Sequence, residues 1–235
     1  MPETLPMMLE RISAFQYDSV PSEATFGLAP AVTTKVAERS GEYLPFYGNS
    51  VIYYLDDDTL TLCDKALDFL YQRLVSCLSQ RLPRDSLHIT LTDLRASANL
   101  AYVAPQIFLD ATHFSSLVNS MHLPTIELRI TAVFNLMNTS ISIGVVPATE
   151  VDYENLMAAR RIFEADSSEA PSPFTPHITL AYYRPNPEIA INPAELRMTL
   201  AELTEMLHGK RIALHRDLLM YVHFSSMANY WNVGH

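Results

Sequence analysis

The sequence predicts an α+β fold of two pseudo-symmetric lobes, with antiparallel sheets forming a central cleft and helices on the outside. Three observations predict it. The tetrapeptide His-Ile-Thr-Leu occurs twice, at 88–91 and 177–180. A short apolar or alternating stretch precedes each copy at the same distance: VIYYL begins at 51 and SISIG at 140, so 88 − 51 = 37 and 177 − 140 = 37. Between each stretch and its histidine lies a segment with apolar residues at helical spacing, which makes two strand–helix–strand units.

In chain order, residues 1–46 read as an N-terminal arm packed on the outside, holding Pro2, Pro6, Pro21 and Pro30 and little sustained periodicity. VIYYL (51–55) reads as a buried strand. Asp56, Asp57, Asp58 and Thr59 then offer capping oxygens and negative charge to a helix N-terminus. Residues 60–82 continue as a helix that Pro83 ends. LHITL (87–91) is the next strand, followed by a long connection. Strands follow at 125–135 and 139–146, a helix at 150–165, and a proline-rich loop (170–176) before HITLAYY (177–183). A helix at 193–208 precedes strands at 211–224 and 229–234. ELRITAVFNLMNTSISIGV (127–145) matches HRDLLMYVHFSSMANYWNVG (215–234) in pattern, as two hairpins. The organisation is therefore an arm (1–46) and a bilobal domain (47–235) with interleaved lobes and repeats of roughly 51–135 and 140–235.

The 235 residues suffice for a sizeable core. With 49% apolar and 18% charged residues the chain is globular. Its 16 basic and 26 acidic residues give a net charge of −10, which repels a phosphate backbone and argues against binding long nucleic acid. A small nucleotide in a local pocket is compatible with that charge. Cys63 and Cys77, fourteen apart in a helical pattern, read as small core residues; about 21 Å of helix separates them, far beyond disulfide reach. There is no secretory signal pattern and no apolar run of spanning length. The chain is expected to be a cytoplasmic monomer with no membrane contact.

The chemistry sits in the repeated tetrapeptide. A chain of this composition yields about 0.1 His-apolar-Thr-apolar matches by chance, so two identical copies point to a site. Residues two apart on a strand share a face, so His88 and Thr90 point one way and Ile89 and Leu91 the other, as do His177 and Thr179 against Ile178 and Leu180. Two packed lobes bring two imidazoles and two hydroxyls to one cleft. A neutral imidazole accepts a proton from water or a hydroxyl, and an imidazolium protonates a leaving oxygen. Threonine hydroxyls donate to oxygens on which charge builds. No metal and no cofactor is implied: His113, His122, His208, His215, His223 and His235 show no ligand spacing and read as structural residues.

These two motifs and the duplicated strand–helix–strand units resemble the two-histidine phosphoesterase superfamily, which includes LigT-like RNA cyclic phosphodiesterases. The resemblance spans about 51–235, and GEYLPFYGNSVIYYL (41–55) is similar to the entry segment of a poorly characterised bacterial branch. It implies hydrolysis or transesterification of 2′,3′-cyclic or 2′-5′ phosphodiesters, or of cyclic nucleotides. It also implies His88 as acid and His177 as base, with a small nucleotide or RNA terminus as partner. Two rivals stay open: a hydrolase of 2′-5′ oligoadenylates or cyclic oligonucleotide signals, and a nucleotide-binding module without turnover.

Further candidates follow from counting. Counting by twos from His177 puts Ala181 and Tyr183 on the cleft face. Matching the strands at 51 and 140 puts Tyr53 and Ser142 at equivalent positions. Tyr53 and Tyr183 are candidates to stack a base, with core packing as the alternative. Phe46 and Tyr47 are candidates to fold over the cleft. Arg184 and Arg95 follow the two motifs and are candidates to hold an anion, with solvated surface as the alternative.

Overall fold

The computed structural model describes residues 3–22, 27–164, 173–187 and 190–233. His235 and the first three residues, 170–172, of the loop expected at 170–176 lie outside them. The chain alternates strands and helices: α1 (Leu5–Asp18), β1 (Tyr47–Tyr54), α2 (Asp57–Leu74), β2 (His88–Ser97), α3 (Leu100–Ser120), β3 (Ile126–Leu136), β4 (Ser140–Pro147), α4 (Glu150–Glu164), β5 (His177–Tyr182), α5 (Pro193–Leu207), β6 (Arg211–Leu214), β7 (Leu219–Ser226) and β8 (Asn229–Asn232). The strands form one eight-stranded sheet in the order β6-β3-β4-β5-β2-β1-β7-β8, with every neighbour antiparallel. The fold is thus α+β, with the sheet curled around a cleft.

The strand order reads symmetrically outward from the centre: β2, β1, β7 and β8 on one side, β5, β4, β3 and β6 on the other. Ile89↔Ile178 is the residue pair that joins β2 to β5. The expected two sheets are therefore one sheet, stitched at its middle. β3 follows β2 in the chain but pairs with β4, and β7 follows the second histidine strand but pairs with β1.

Local chemistry explains the element boundaries. The Asp56 carboxylate accepts from the Thr59 N–H (2.7 Å) and caps α2. Its inner stripe, Cys63, Ala66, Leu67, Leu70 and Leu74, is buried. The helix stops at Leu74 and not at Pro83. Three residues of tighter helix follow, and Leu78 then pairs with Tyr183, so sheet pairing draws the chain out of helix before proline is reached. Cys63 and Cys77 are both buried.

Two helices lie where none was expected. α1 occupies the arm: Thr4 caps it, and Pro6 stands in the first turn, where a missing N–H is harmless. Met8 and Ile12 of α1 are fully buried, and the helix packs on β3, β4 and α5. A Cβ added to Gly144 would meet Ile12 at 2.8 Å and Phe134 at 2.7 Å, so α1 covers the face of β4 toward which Gly144 points. Gly144 pairs with His177, so this is also the histidine face. The arm is a wall of the core and not an outer strap. α3 fills the long connection after β2, capped by Asn99, and buries Val103, Ile107, Phe114 and Val118 against β7, β1 and β2.

Candidate active site

His88 and Thr90 flank Ile89, and His177 and Thr179 flank Ile178, on either side of the central pair. Ile89, Leu91, Ile178 and Leu180 are at most 1% exposed, whereas both histidines and both threonines are only half-buried. Strand parity thus puts the four polar side chains together on the face opposite the isoleucines. Each imidazole is fixed in the same way. His88 Nδ1 bonds the carbonyl of Ser86 (2.7 Å), and His177 Nδ1 bonds the carbonyl of Thr175 (2.8 Å). A carbonyl only accepts, so Nδ1 carries the hydrogen and Nε2 is the exchangeable position. Among the described residues neither Nε2 has a hydrogen-bond partner.

Bulges then change which residues share this face. Ile52 pairs with Thr90 but Val51 pairs with Thr92, so Leu91 is an extra residue in β2. Ser142 pairs with Thr179 but Ile141 pairs with Ala181, so Leu180 is an extra residue in β5. Each bulge flips the parity beyond it. Asp93 and Tyr182, each five residues after its histidine, therefore join the histidine face. Arg160 of α4 donates to the Leu91 carbonyl at the first bulge (3.1 Å).

Asp93 is exposed, and its carboxylate accepts from the Ser50 hydroxyl (3.2 Å). Burial pushes the pKa of His88 down, against an upward pull from the Ser86 carbonyl and Asp93 and a further depression from His177. Burial likewise depresses His177, opposed by the Thr175 carbonyl and Asp93. One carboxylate therefore raises the proton affinity of both imidazoles. Sequence reading missed it because a strict period of two puts residue 93 on the opposite face.

An aromatic row extends from His88. Its ring lies 4.6 Å from that of Tyr230, Tyr230 lies 5.2 Å from Phe224, and Phe224 stacks on Phe46 at 6.4 Å. Tyr54 pairs with His88 and so shares its face. On the β5 side, Tyr182 meets Tyr43 edge-on (6.0 Å). Lys35 Nζ stands 5.1 Å from the Phe46 ring and 5.7 Å from the Tyr182 ring. Burial lowers the Lys35 pKa, and Asp93 partly restores it.

Several expected contributors lie elsewhere. Tyr53 pairs with Ile89 and faces the core at 1% exposure; Tyr54, its neighbour, takes the cleft position. Ala181 and Tyr183 are buried because the Leu180 bulge turned them away; Tyr182 replaces them. Ser142 lies on the histidine face opposite Thr179 but is fully buried, and its register counterpart in β1 is Ile52 and not Tyr53. Arg95 donates to Asp110 of α3 (3.1 Å). Arg184 stands past the end of β5, its N–H on the Cys77 carbonyl (2.8 Å) and its side chain against Gly41. Phe46 joins the aromatic row, whereas Tyr47 lines an apolar cavity of about 180 Å³ between α3 and β7–β8 that shares Phe224 with that row and is lined by neither His88 nor His177. His208 bonds the Thr131 carbonyl (2.9 Å) and His223 the Tyr221 hydroxyl (3.0 Å), as structural histidines do. Among the described residues, no three His, Cys, Asp or Glu side chains converge as a metal site, and no helix is long and apolar enough to cross a membrane.

No protein-family model and no curated protein matches the chain. Among solved structures, a conserved protein of unknown function from Agrobacterium tumefaciens, ATU0111, superposes with a TM-score of 0.62 at 20% identity, over 96% of this chain and 97% of that one. This likeness shows the fold. LigT of E. coli, solved with 3′-AMP, gives 0.46 at 11% identity over 80% of this chain and 96% of that one. TT0787 of Thermus thermophilus gives 0.47 at 12% identity over 80% and 95%. The last two likenesses are remote.

Proposed function

We propose that the chain is a two-histidine phosphoesterase: a metal-independent phosphodiesterase acting on a 2′,3′-cyclic phosphate or a related small nucleotide or RNA-end phosphodiester. The observation that carries this reading is the matched pair of imidazoles on adjacent central strands. Each is locked through Nδ1 to the carbonyl two residues upstream, and each has a threonine on the same face. Fixed tautomers present two Nε2 atoms for proton transfer, one as base in the neutral form and one as acid in the charged form. His177 takes the proton from the attacking water, and His88 delivers one to the leaving ribose oxygen, the roles that the resemblance implies. Thr90 and Thr179 donate to the non-bridging oxygens as charge builds there. The base enters neutral and leaves charged while the acid does the reverse, so the pair is restored when they exchange protons with solvent.

Turnover of 2′,3′-cyclic nucleotides, 2′-5′ oligoadenylates and cyclic dinucleotides, measured with chelator present, tests the reading. The wild type should cleave the cyclic phosphates. His88→Ala and His177→Ala should each lose about 10²–10⁴-fold in kcat while keeping a native circular dichroism spectrum. Near-wild-type turnover in either variant refutes the mechanism. Cleavage confined to 2′-5′ linkages or cyclic dinucleotides reassigns the substrate. Nucleotide binding without product at high enzyme concentration makes the protein a binding module. Activity abolished by chelator and restored by zinc or manganese refutes metal independence.

A further inference from the structure

We infer that Lys35, carried by the N-terminal segment, is the cation that receives the phosphoryl charge of the substrate. This rests on the phosphodiesterase reading above and adds to it a binding residue 53 positions before the first motif histidine, since 88 − 35 = 53.

The position is built and not incidental. Lys35 closes a short helical turn, Pro30–Thr34, and opens a small hairpin in which Val36 pairs with Tyr43 and the Lys35 carbonyl accepts from the Leu44 N–H (2.9 Å). The hairpin is tied to the chain after α2: the Gly41 carbonyl accepts from the Gln80 N–H (2.8 Å), and the Tyr43 hydroxyl donates to the Gln80 carbonyl (2.8 Å). The lysine stem is thereby held over Phe46 and Tyr182, the latter on the histidine strand β5. Cation–π contacts place an ammonium without using its N–H donors in ordinary hydrogen bonds. Among the described residues Lys35 Nζ has no hydrogen-bond partner, so its donors are available to an anion.

The electrostatics favour such a group. The site already contains the Asp93 carboxylate, and the chain carries ten net negative charges. A phosphodiester entering this field is repelled, and an ammonium there adds to the charge of the imidazolium acid in offsetting the repulsion. Arg95 is committed to Asp110, and Arg184 lies beside Gly41. The Asp93 carboxylate acts on Lys35 as on both motif histidines, raising the pKa of each.

Neutralising Asp93 alone is the competing role, and a double variant separates the two. Inorganic phosphate binding by calorimetry and kinetics on 2′,3′-cyclic AMP are measured for wild type, Lys35→Met, Lys35→Arg, Asp93→Asn and Lys35→Met/Asp93→Asn. A lost charged contact to phosphate should weaken phosphate binding and kcat/KM by about 10- to 100-fold in Lys35→Met, with Lys35→Arg retaining most of both. The deficit should persist in the double variant when compared with Asp93→Asn. Full rescue by Asp93→Asn overturns the assignment, because Lys35 then serves only the carboxylate. Unchanged phosphate binding in Lys35→Met, or no phosphate binding by wild type, also overturns it. If wild type cleaves the cyclic nucleotide and Lys35→Met does so equally well, this inference fails while the two-histidine reading stands. If wild type binds phosphate through Lys35 but cleaves nothing, the catalytic reading fails and the anion site stands.

Discussion

Ile89 pairs with Ile178 across the junction of β2 and β5, and through this pair the two halves of the sheet meet. The isoleucines are 1% and 0% exposed on the core side, and the motif histidines and threonines flank them on the cleft side. Packing beneath the pair therefore sets the spacing of the groups above it. Ile89→Ala and Ile178→Ala should each cost about 2–5 kcal/mol, as deletion of fully buried methylenes does. The two should combine non-additively, since the residues touch. Urea denaturation measures this, and a cost below about 1 kcal/mol for both would show that the junction is not under packing control.

Both motif imidazoles have pKa values pulled below the ordinary histidine value, chiefly by burial. The folded state then binds fewer protons than the unfolded chain near and below pH 6.5, so stability rises with pH there. Stability from these groups is fully present above about pH 6.5 and declines as pH falls through the folded values. Thermal unfolding between pH 7.5 and pH 5 should show this decline, and a His88→Asn/His177→Asn double variant should show less of it. An identical pH dependence in the two proteins would place the responsible groups elsewhere.

The proposed mechanism needs one imidazole neutral and the other charged, so the rate should follow a bell whose two limbs belong to the coupled pair. Asp93 raises the proton affinity of both rings. Asp93→Asn should therefore move both limbs to lower pH and reduce the rate on the alkaline side, where the acid is already losing its proton. Residual activity of His88→Ala and His177→Ala should lack opposite limbs. A bell unmoved by Asp93→Asn would remove Asp93 from the site's electrostatics.

Arg11 of α1 donates to Thr175 Oγ1 (2.7 Å) and to the Phe174 carbonyl (2.7 Å) and pairs with Glu3 (2.7 Å). The Thr175 carbonyl is the anchor of His177 Nδ1. On the proposed mechanism Arg11 is thus a positioning residue that acts through the turn before β5. Arg11→Ala should lower kcat more than it raises KM and should cost about 1–3 kcal/mol in stability, the penalty of unpaired buried acceptors. Equal loss of stability with unchanged kcat would reduce Arg11 to a structural tie.

The amino-acid sequence by itself determined the central strands, their polar faces and most of the helices. His-Ile-Thr-Leu on a strand presents histidine and threonine together whatever the neighbours are, because alternation is a property of the extended backbone. The helices at 150–164 and 193–207 match their apolar spacing for the same local reason. Tertiary structure decided the rest. The bulges at Leu91 and Leu180 arise from pairing with β1 and β4, and they exchanged Tyr183 for Tyr182 and brought in Asp93. Tyr54 and not Tyr53 faces the cleft because it pairs with His88, and register is fixed between strands and not within one. α1 is a helix because Met8 and Ile12 find the β3–β4 face, and α3 because its apolar stripe finds β1 and β7. Lys35 is far from either motif in the chain and reaches the cleft only because a hairpin anchored on Gln80 sets it over Tyr182. Long-range packing sums many weak contacts between distant residues, and no local pattern of side chains encodes that sum.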